Sequence, residues 1–408
     1  MMNSLKKVYC RTFQKALRIA IPVLPYREPK IIRSLGDVPG ALMRELCASV
    51  LIITDKGIRS LGLTDRLEEA LQNAHIRYVI YDDTAANPTT ENAEEALELY
   101  HTHRCDAIIG FGGGSSMDCA KAVGVRVVRP NASLGQMKGI LKVGKKLPPL
   151  IAVPTTAGTG SETTLAAVIV DAETRHKYVI NDFPLIPKYA VLDPTVTISL
   201  PPYVTATTGM DALTHAVEAY IGGSTTKKTR RCALKAVRLI FDNLDTAYAH
   251  GGNLRARRNM LMAAYYAGCA FTVSYVGYVH AVAHSLGGEY NVPHGEANAI
   301  LLPFVLEEYG ETIYPQLKRL AIAARLADAD TPDDEAAAVF IQAVKDMKKR
   351  FGIGDTVPQL REEDIPKLAK YADSEGNPLY PVPVLMDADE LSVFYYAVLE
   401  QEPQTPEM

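Results

Sequence analysis

The stretch Asp106-Ala-Ile-Ile-Gly-Phe-Gly-Gly-Gly-Ser-Ser-Met-Asp118 takes an apolar strand directly into a run of glycines and then into a helix. Glycines allow the backbone to approach a diphosphate closely, and the free N–H groups at the start of a helix favour an anion. Similar apolar runs on both sides alternate with helical patterns. They are Val50 to Thr54, Tyr78 to Tyr81, Ile151 to Val153 and Val168 to Val170. This alternation predicts a parallel sheet with helices on its faces.

The pattern changes to long helical segments after the turn-rich stretch around Pro194 and Pro201-Pro202. These segments are Ala212 to Tyr220, Arg230 to Tyr248, Leu254 to Val273, Pro315 to Leu326 and Ala336 to Phe351. A chain of 408 residues is too long for one ordinary core. We therefore expect an α/β dinucleotide-binding domain over residues 1–200, with 1–30 as a variable leader, and an all-helical domain over 201–408.

Net charge and cysteine usage indicate which partners and which cellular compartment to expect. The formal net charge is −4 and no basic block is sustained along the chain, so we expect no nucleic-acid partner and no membrane partner. The six cysteines are scattered singly, which fits a reducing cytoplasm. The basic first residues faintly resemble a transit peptide or a membrane-surface helix. Serine is sparse there and the apolar run is short, so a solvated leader helix is expected.

The glycine-rich turn departs from the standard dinucleotide fingerprint. Gly110 and Gly112 match it, but Ser115 takes the third position and no acidic residue follows at the usual spacing. Asp55, at the end of an upstream strand, is better placed to bind ribose hydroxyls and to repel a 2′-phosphate, which predicts NAD over NADP. A second loop, Pro154-Thr-Thr-Ala-Gly-Thr-Gly-Ser-Glu162, strengthens this interpretation. A tight turn and a helix cap are the purely structural alternatives.

A cluster of metal-ligand residues lies in the second half of the chain. Asp211 and His215 have i, i+4 spacing, as do His280 and His284, so each pair shares one helix face. With His294 these residues suit a divalent ion such as Fe(II) or Zn(II) and leave positions for substrate. The glutamate of a hydrolytic HExxH site is absent. Satisfied core histidines are the alternative interpretation.

Taken together, the motifs resemble those of the iron-containing (group III) alcohol dehydrogenase family, from about residue 30 to 395. The resemblance rests on GGGS followed by Asp118 and Lys121, PTTAGTGSE, GMDALTHAVEAY, the HxxxH segment and Pro293-His294-Gly295. It implies an α/β N-terminal domain with a parallel sheet and an all-α metal-binding domain, the architecture also found in dehydroquinate synthase. It further implies that the chain forms a homodimer.

The resemblance also assigns residue roles. It implies metal ligation by Asp211, His215, His280 and His294, and it places His284 on the nicotinamide and proton-relay side of the site. The implied NAD contacts are Asp55, Asn87, Gly113, Gly114, Ser115, Asp118, Thr155, Thr156 and Lys177.

These observations predict a metal-dependent alcohol dehydrogenase that transfers a hydride between NAD(H) and a small primary alcohol or aldehyde. The metal, expected to be Fe(II) with Zn(II) as the alternative, acts as a Lewis acid on the alkoxide. One alternative is a glycerol-dehydrogenase-like polyol oxidoreductase. Another is a non-catalytic nucleotide- or metal-binding module, and a third is a helical scaffold with an incidental histidine cluster.

Overall fold

A six-stranded parallel sheet organises the first half of the chain in the computed structural model, which describes residues 2–174 and 176–400. The strands are β1 (Lys30–Ile32), β2 (Ser49–Ile53), β3 (Arg77–Tyr81), β4 (Ala107–Gly112), β5 (Gly139–Ile140), β6 (Leu150–Pro154), β7 (Ala166–Val170), β8 (Lys177–Asn181) and β9 (Tyr189–Val191). The large sheet has the order β1-β9-β6-β4-β2-β3, and all neighbouring strands in it are parallel.

One predicted strand does not belong to that sheet. The segment Val168 to Val170 lies in β7, which forms a separate three-stranded sheet in the order β5-β8-β7. β7 and β8 are joined by a short connection closed by a bond from Asp171 N to His176 O, and they pair antiparallel. Two strands joined so closely cannot pair in parallel, because a parallel pair needs a long crossover. The expectation for this segment is therefore wrong.

Burial on both faces explains the unbroken apolar runs of the central strands. Leu51 and Ile53 of β2 belong to the core on one face of the sheet, and Val50 and Ile52 belong to the core on the other. All four side chains are fully buried. Complete burial of a Leu, Ile or Val side chain contributes about 1.5–3 kcal/mol. From β2 the chain continues to β3 on one side of the sheet, and from β4 it continues to β6 on the other side. The boundary between β2 and β4 is therefore a topological switch point.

Fifteen α-helices lie among the described residues. The first six are α1 (Ser4–Ala20), α2 (Val38–Arg44), α3 (Lys56–Ser60), α4 (Asp65–Asn73), α5 (Thr90–Thr102) and α6 (Gly114–Val128). The others are α7 (Pro202–Ile221), α8 (Lys227–Ala249), α9 (Leu254–Ser274), α10 (Tyr278–Tyr290), α11 (His294–Tyr309), α12 (Tyr314–Ala323), α13 (Asp333–Arg350), α14 (Ile365–Gly376) and α15 (Ala388–Val398).

The chain divides into two compact units that are discontinuous in sequence. Residues 25–200 and 250–272 form the α/β unit, and the chain up to Leu24, 201–249 and the chain from Val273 onward form the helical unit. This grouping differs from the predicted division at residue 200 in two segments. Most of α9 belongs to the α/β unit, where the Tyr265 hydroxyl donates to Pro29 O at 2.7 Å. The first helix belongs to the helical unit.

The predicted solvated leader is an ordered helix with a buried face. Asn3 caps α1 by accepting a bond from Leu5 N at 3.0 Å, and Cys10 and Gln14 are buried. No single helix among the described residues is long and apolar enough to span a membrane, although α9 and α10 as a bent pair meet the criteria of length and composition.

Helix α7 is buried around almost its whole circumference. A helix of this kind is expected to carry apolar side chains on every face. Asp211, His215 and Glu218 are therefore conspicuous, because all three are ionisable and buried. Their spacing along the helix puts them on one face, which defines where a polar site lies within the helical unit.

Candidate functional site

Four predicted metal ligands converge in the helical unit. Asp211 and His215 lie on α7, His280 lies on α10, and His294 is the first residue of α11. Their ligand atoms all lie within 4.8 Å of one another. The first three residues are buried, whereas the His294 side chain is 39% exposed. The cluster therefore has one open side.

The side chain of Asn298 tests whether these residues fit a cation. Its Nδ2 donates to Asp211 Oδ1 at 2.7 Å and lies 3.2 Å from His280 Nε2 and 3.1 Å from His294 Nε2. Three of the four residues thus direct acceptor atoms at one point where a hydrogen-bond donor lies. One carboxylate and three imidazoles are also a ligand set that suits Fe(II) or Zn(II). The residues fit a divalent metal.

Glu218 supports the cluster from behind His280. Its Oε2 lies 2.5 Å from His280 Nδ1, and its Oε1 accepts a bond from Val279 N at 2.8 Å. A carboxylate at Nδ1 fixes the imidazole tautomer and leaves Nε2 as the ligand atom. The sequence-based prediction missed Glu218. Its position, three residues after His215 on the same face of α7, was the available signal.

Burial controls the protonation of this pair. Burial lowers the pKa of His280 well below its ordinary value, and the neighbouring imidazoles lower it further, so the ring is neutral as a metal ligand must be. Burial raises the pKa of Glu218 to about 8, opposed by backbone N–H donors and by the charge of His284. A cation in the cluster favours the ionised carboxylate by Coulomb attraction.

A glycine sets the approach of α11 to α7. A Cβ atom at Gly295 would lie 2.6 Å from Thr207 O and 3.3 Å from Asp211 Cβ. Any larger residue would therefore push the start of α11 away from α7. With glycine there, His294 Nε2 comes within 3.4 Å of Asp211 Oδ1. The glycine of the Pro293-His294-Gly295 motif thus lets His294, the first residue of α11, come close to Asp211.

His284 lies outside the four-residue cluster, although it follows His280 by one helical turn. Its ring stacks on that of His294 with centroids 5.1 Å apart. Its Nδ1 lies 2.6 Å from Glu375 Oε1, and the Tyr380 hydroxyl donates to the same oxygen, also at 2.6 Å. No local sequence pattern points to Glu375, which is 91 residues from His284 along the chain.

The glycine turn of the α/β unit follows β4 at the topological switch point. Gly112 has a φ of +152°, and a Cβ there would lie 2.4 Å from Ser116 Oγ. The same Cβ position is 3.6 Å from Asp55 Oδ2, so the Asp55 carboxylate lies beside the turn. Thr155 N donates to Gly112 O at 2.9 Å, which joins the second loop to the first. Asp55 also caps α3 through Ile58 N.

Six more of the predicted NAD contacts lie in three places, namely the start of α6, a Lys177–Asn87 pair and Thr156. Gly113 caps α6, and Gly114 and Ser115 are its first residues, with the Ser115 hydroxyl bonded to Ala86 O. Lys177 Nζ donates to Asn87 Oδ1 at 3.0 Å, so this pair lies together. Thr156 Oγ1 is buried and has no hydrogen-bond partner among the described residues. Such an atom is available to a ligand.

Asp118 is already fully engaged within the α/β unit. Its Oδ1 accepts from Ser161 Oγ at 2.7 Å, and its Oδ2 accepts from Val168 N at 3.1 Å. The fully buried Lys121 donates to Ser161 Oγ at 3.0 Å and to Thr164 Oγ1 at 2.7 Å. Burial lowers the pKa of Lys121, while Asp118 and Glu162 raise it. Asp118 and Lys121 together therefore hold the second loop against α6.

A glycine turn before a helix at a switch point, and an Asp/His cluster backed by a glutamate, are features expected of a metal-dependent dehydrogenase that acts with a dinucleotide. Two family descriptions match the chain, iron-containing alcohol dehydrogenase over residues 32–194 and the Fe-containing alcohol dehydrogenase C-terminal part over 205–397. The chain belongs to the iron-containing alcohol dehydrogenase family.

Individual relatives agree with this assignment. The chain is 40% identical to the 1,3-propanediol dehydrogenase of Klebsiella pneumoniae over 333 residues, which are 80% of this chain and 85% of the relative. It is 34% identical to the NAD-dependent methanol dehydrogenase of Bacillus methanolicus over 339 residues, or 82% and 88% of the two chains. The crystal structure of a 1,3-propanediol oxidoreductase superposes with a TM-score of 0.87 at 35% identity, covering 92% of this chain and 98% of that one.

The predicted family, fold class and enzyme class are confirmed. The chain is a metal-dependent alcohol dehydrogenase that uses NAD(H).

Proposed function

We propose that this enzyme carries Fe(II) on Asp211, His215, His280 and His294 and interconverts a small primary alcohol and its aldehyde. The observation that carries the proposal is the convergence of these four ligand groups within 4.8 Å. The open side at His294 leaves room for a small substrate oxygen. Fe(II) is favoured by the mixed carboxylate and imidazole donors and by the family, and Zn(II) is the other metal that this set suits.

The groups of the chain divide the work of the reaction. A divalent ion supplies Lewis-acid polarisation of the substrate oxygen, and NAD(H) accepts or supplies the hydride. Glu218 holds His280 in the tautomer that presents Nε2 to the cluster. In the oxidation direction the hydroxyl proton of the alcohol passes to His284, whose imidazole suits proton transfer near neutral pH. The net change is alcohol and NAD⁺ to aldehyde, NADH and a proton.

For the cofactor we propose NAD rather than NADP. The Asp55 carboxylate beside the glycine turn suits two ribose hydroxyls and repels a 2′-phosphate. The start of α6 favours the diphosphate. The proposed contacts are Asp55, Asn87, Gly113, Gly114, Ser115, Asp118, Thr155, Thr156 and Lys177. For Asp118 we propose a contribution through the shape of the second loop, since both its oxygens are engaged.

We also propose a cytoplasmic homodimer without nucleic-acid or membrane partners. The scattered cysteines suit a reducing compartment, and the net charge of −4 favours no polyanion. Dimer formation rests on analogy with the family.

The test is NADH oxidation by anaerobically purified protein reloaded with Fe(II) or Zn(II), against short aldehydes and the oxidised forms of polyols, with NADPH in parallel. The proposal predicts higher turnover with Fe(II), with NADH and with simple aldehydes. Preference for polyol substrates with Zn(II) would favour the glycerol-dehydrogenase-like alternative. Tight NADH binding by the loaded protein without turnover would favour the non-catalytic module.

A further inference from the structure

Glu375 joins two side chains through one oxygen atom. His284 Nδ1 lies 2.6 Å from Glu375 Oε1, and Tyr380 Oη donates to that same oxygen at 2.6 Å. Tyr380 is buried. Because Tyr380 holds the oxygen from one side, the carboxylate has little freedom to leave the imidazole.

Tyr380 belongs to a segment without regular secondary structure, residues 377–387, between α14 and α15; we call it the Tyr380 segment. Backbone carbonyls in such a segment need partners from elsewhere. Helix α1 provides them. Gln14 Nε2 donates to Tyr380 O at 2.7 Å, and the Arg11 guanidinium donates to Val382 O and Pro383 O, each at 2.7 Å.

One further contact joins α1 to α14, and another orients a side chain within α1. Lys6 Nζ donates to both carboxylate oxygens of Asp373, at 2.7 and 2.6 Å, and Asp373 precedes Glu375 on the same helix. Arg11 also donates to Gln14 Oε1 at 2.9 Å, which orients the amide that binds Tyr380 O. The buried face of α1 thus makes polar contacts on both sides of Glu375.

We propose that Glu375 is a positioning residue for His284 and that α1 acts as a brace that holds the Tyr380 segment, and through it Glu375, in place. The inference rests on the proposed function only in taking His284 as the proton-transfer group. A carboxylate at Nδ1 keeps the proton of a neutral imidazole on that nitrogen and leaves Nε2 free to accept one. In this proposal α1 holds the Tyr380 segment, Tyr380 holds the Glu375 carboxylate, and Glu375 orients His284.

The first test replaces Glu375 by Gln and by Asp in the full-length, metal-loaded enzyme. An amide can donate to Nδ1 and reverse the tautomer, so for Glu375→Gln we expect kcat for aldehyde reduction to fall about 10- to 100-fold. Metal content and KM for NADH remain those of the wild type. Glu375→Asp restores part of kcat because it keeps the carboxylate. Glu363→Gln, at an exposed position near the start of α14, is the matched control.

His284→Ala in the same series separates the two claims. If His284→Ala is slow and Glu375→Gln keeps kcat within about twofold of the wild type, the positioning role of Glu375 is overturned and the proposed function stands. If His284→Ala itself keeps full turnover, the proton-transfer role in the proposed function fails. Loss of metal from Glu375→Gln would also overturn the inference, since the effect would then lie in the ligand cluster.

The second test addresses the brace. Gln14→Ala, alone and with Arg11→Ala, removes donors to the Tyr380 segment. We expect amide hydrogen exchange in residues 376–387 to rise by about tenfold or more, since local opening there costs less free energy. We expect kcat to fall with metal content unchanged. Lys15→Ala on the exposed side of α1 changes neither.

Faster exchange with an unchanged kcat would overturn the link from α1 to the site. Unchanged exchange in both variants would overturn the brace itself. The single variant keeps the test informative if the double variant does not fold.

Discussion

Glu218 Oε2 lies 2.5 Å from His280 Nδ1 in the buried interior of the helical unit, where the two side chains are 2% and 3% exposed. The contact directs His280 Nε2 toward the other ligand groups. Glu218, which is outside the proposed ligand set, therefore determines which nitrogen of His280 is free to bind the proposed metal. We therefore expect metal binding at the proposed site to depend on Glu218.

Replacing Glu218 by Gln is expected to lower metal affinity about 10- to 100-fold, because the amide no longer fixes the His280 tautomer. Competition with a chromophoric chelator measures the affinity directly. Glu307→Gln, at a surface ion pair with Lys345, is the control and should bind metal like the wild type. An unchanged affinity in Glu218→Gln would show that His280 orients itself without the carboxylate.

Asp55→Ser is expected to change cofactor preference. Serine can still cap α3, so the fold is kept while the negative charge beside Gly112 is removed. We expect the ratio of kcat/KM for NADPH to that for NADH to rise about tenfold, the effect of removing a charge repulsion of about 1.4 kcal/mol. Steady-state kinetics with both cofactors test this. A ratio equal to that of the wild type would mean that Asp55 does not face the ribose.

Lys121→Met should destabilise the α/β unit and weaken NADH binding together. The substitution leaves the partly buried Asp118 carboxylate without its cation and removes the donor to Ser161 and Thr164. Breaking a buried ion pair costs about 3 kcal/mol in the free energy of unfolding.

Urea unfolding and NADH titration monitored by fluorescence are the two measurements for Lys121→Met. Lys345→Met, which breaks only a surface pair, should cost less than about 1 kcal/mol. Equal effects of the two substitutions would contradict a tying role for Lys121.

Glu162 predicts a pH dependence of stability. Its side chain is buried, and burial raises its pKa to about 7, while a backbone hydrogen bond and Lys121 oppose the shift. Because the pKa in the folded protein lies above the value of 4.5 for an unperturbed glutamate, the folded protein holds the proton more tightly. The resulting stabilisation is complete below pH 4.5 and is lost as the pH rises through about 7; its full size is about 3 kcal/mol.

Glutamine mimics the protonated carboxyl, so Glu162→Gln should be more stable than the wild type at pH 8 and similar to it at pH 5. Denaturant unfolding of both proteins at the two pH values provides the comparison. The same stability difference at both pH values would mean that Glu162 does not titrate with a raised pKa.

The large sheet was predictable where burial leaves a continuous apolar pattern. β2 and β4 are interior strands of the sheet and are buried on both faces, so each stands out in the sequence. β1 and β9 are three residues long and carry no comparable pattern. β7 resembles the other strands in composition, and only its pairing with β8 separates it from the large sheet. Pairing partners are set by tertiary structure, which local periodicity does not report.

In the candidate site too, residues with a local spacing pattern were predictable, whereas contacts set by tertiary structure were not. Asp211 and His215 were identifiable because helical spacing places both on one face of a single helix. Glu218 lies on that face too and could have been included. Glu375 reaches His284 from a distant helix, and the docking of α1 depends on carbonyl groups of an irregular segment. Neither contact leaves a spacing pattern in the sequence, so neither could be predicted from it.

The most direct test of the central claim is to measure metal content and aldehyde-dependent NADH oxidation on the same samples of wild type and Asp211→Asn. The account predicts that the wild type binds a single ion per chain, loses turnover to a chelator and regains it when Fe(II) is added back. Asp211→Asn should bind the ion weakly and turn over slowly at any metal concentration that saturates the wild type. Undiminished turnover in the chelated wild type, or full metal binding and turnover in Asp211→Asn, would contradict the account.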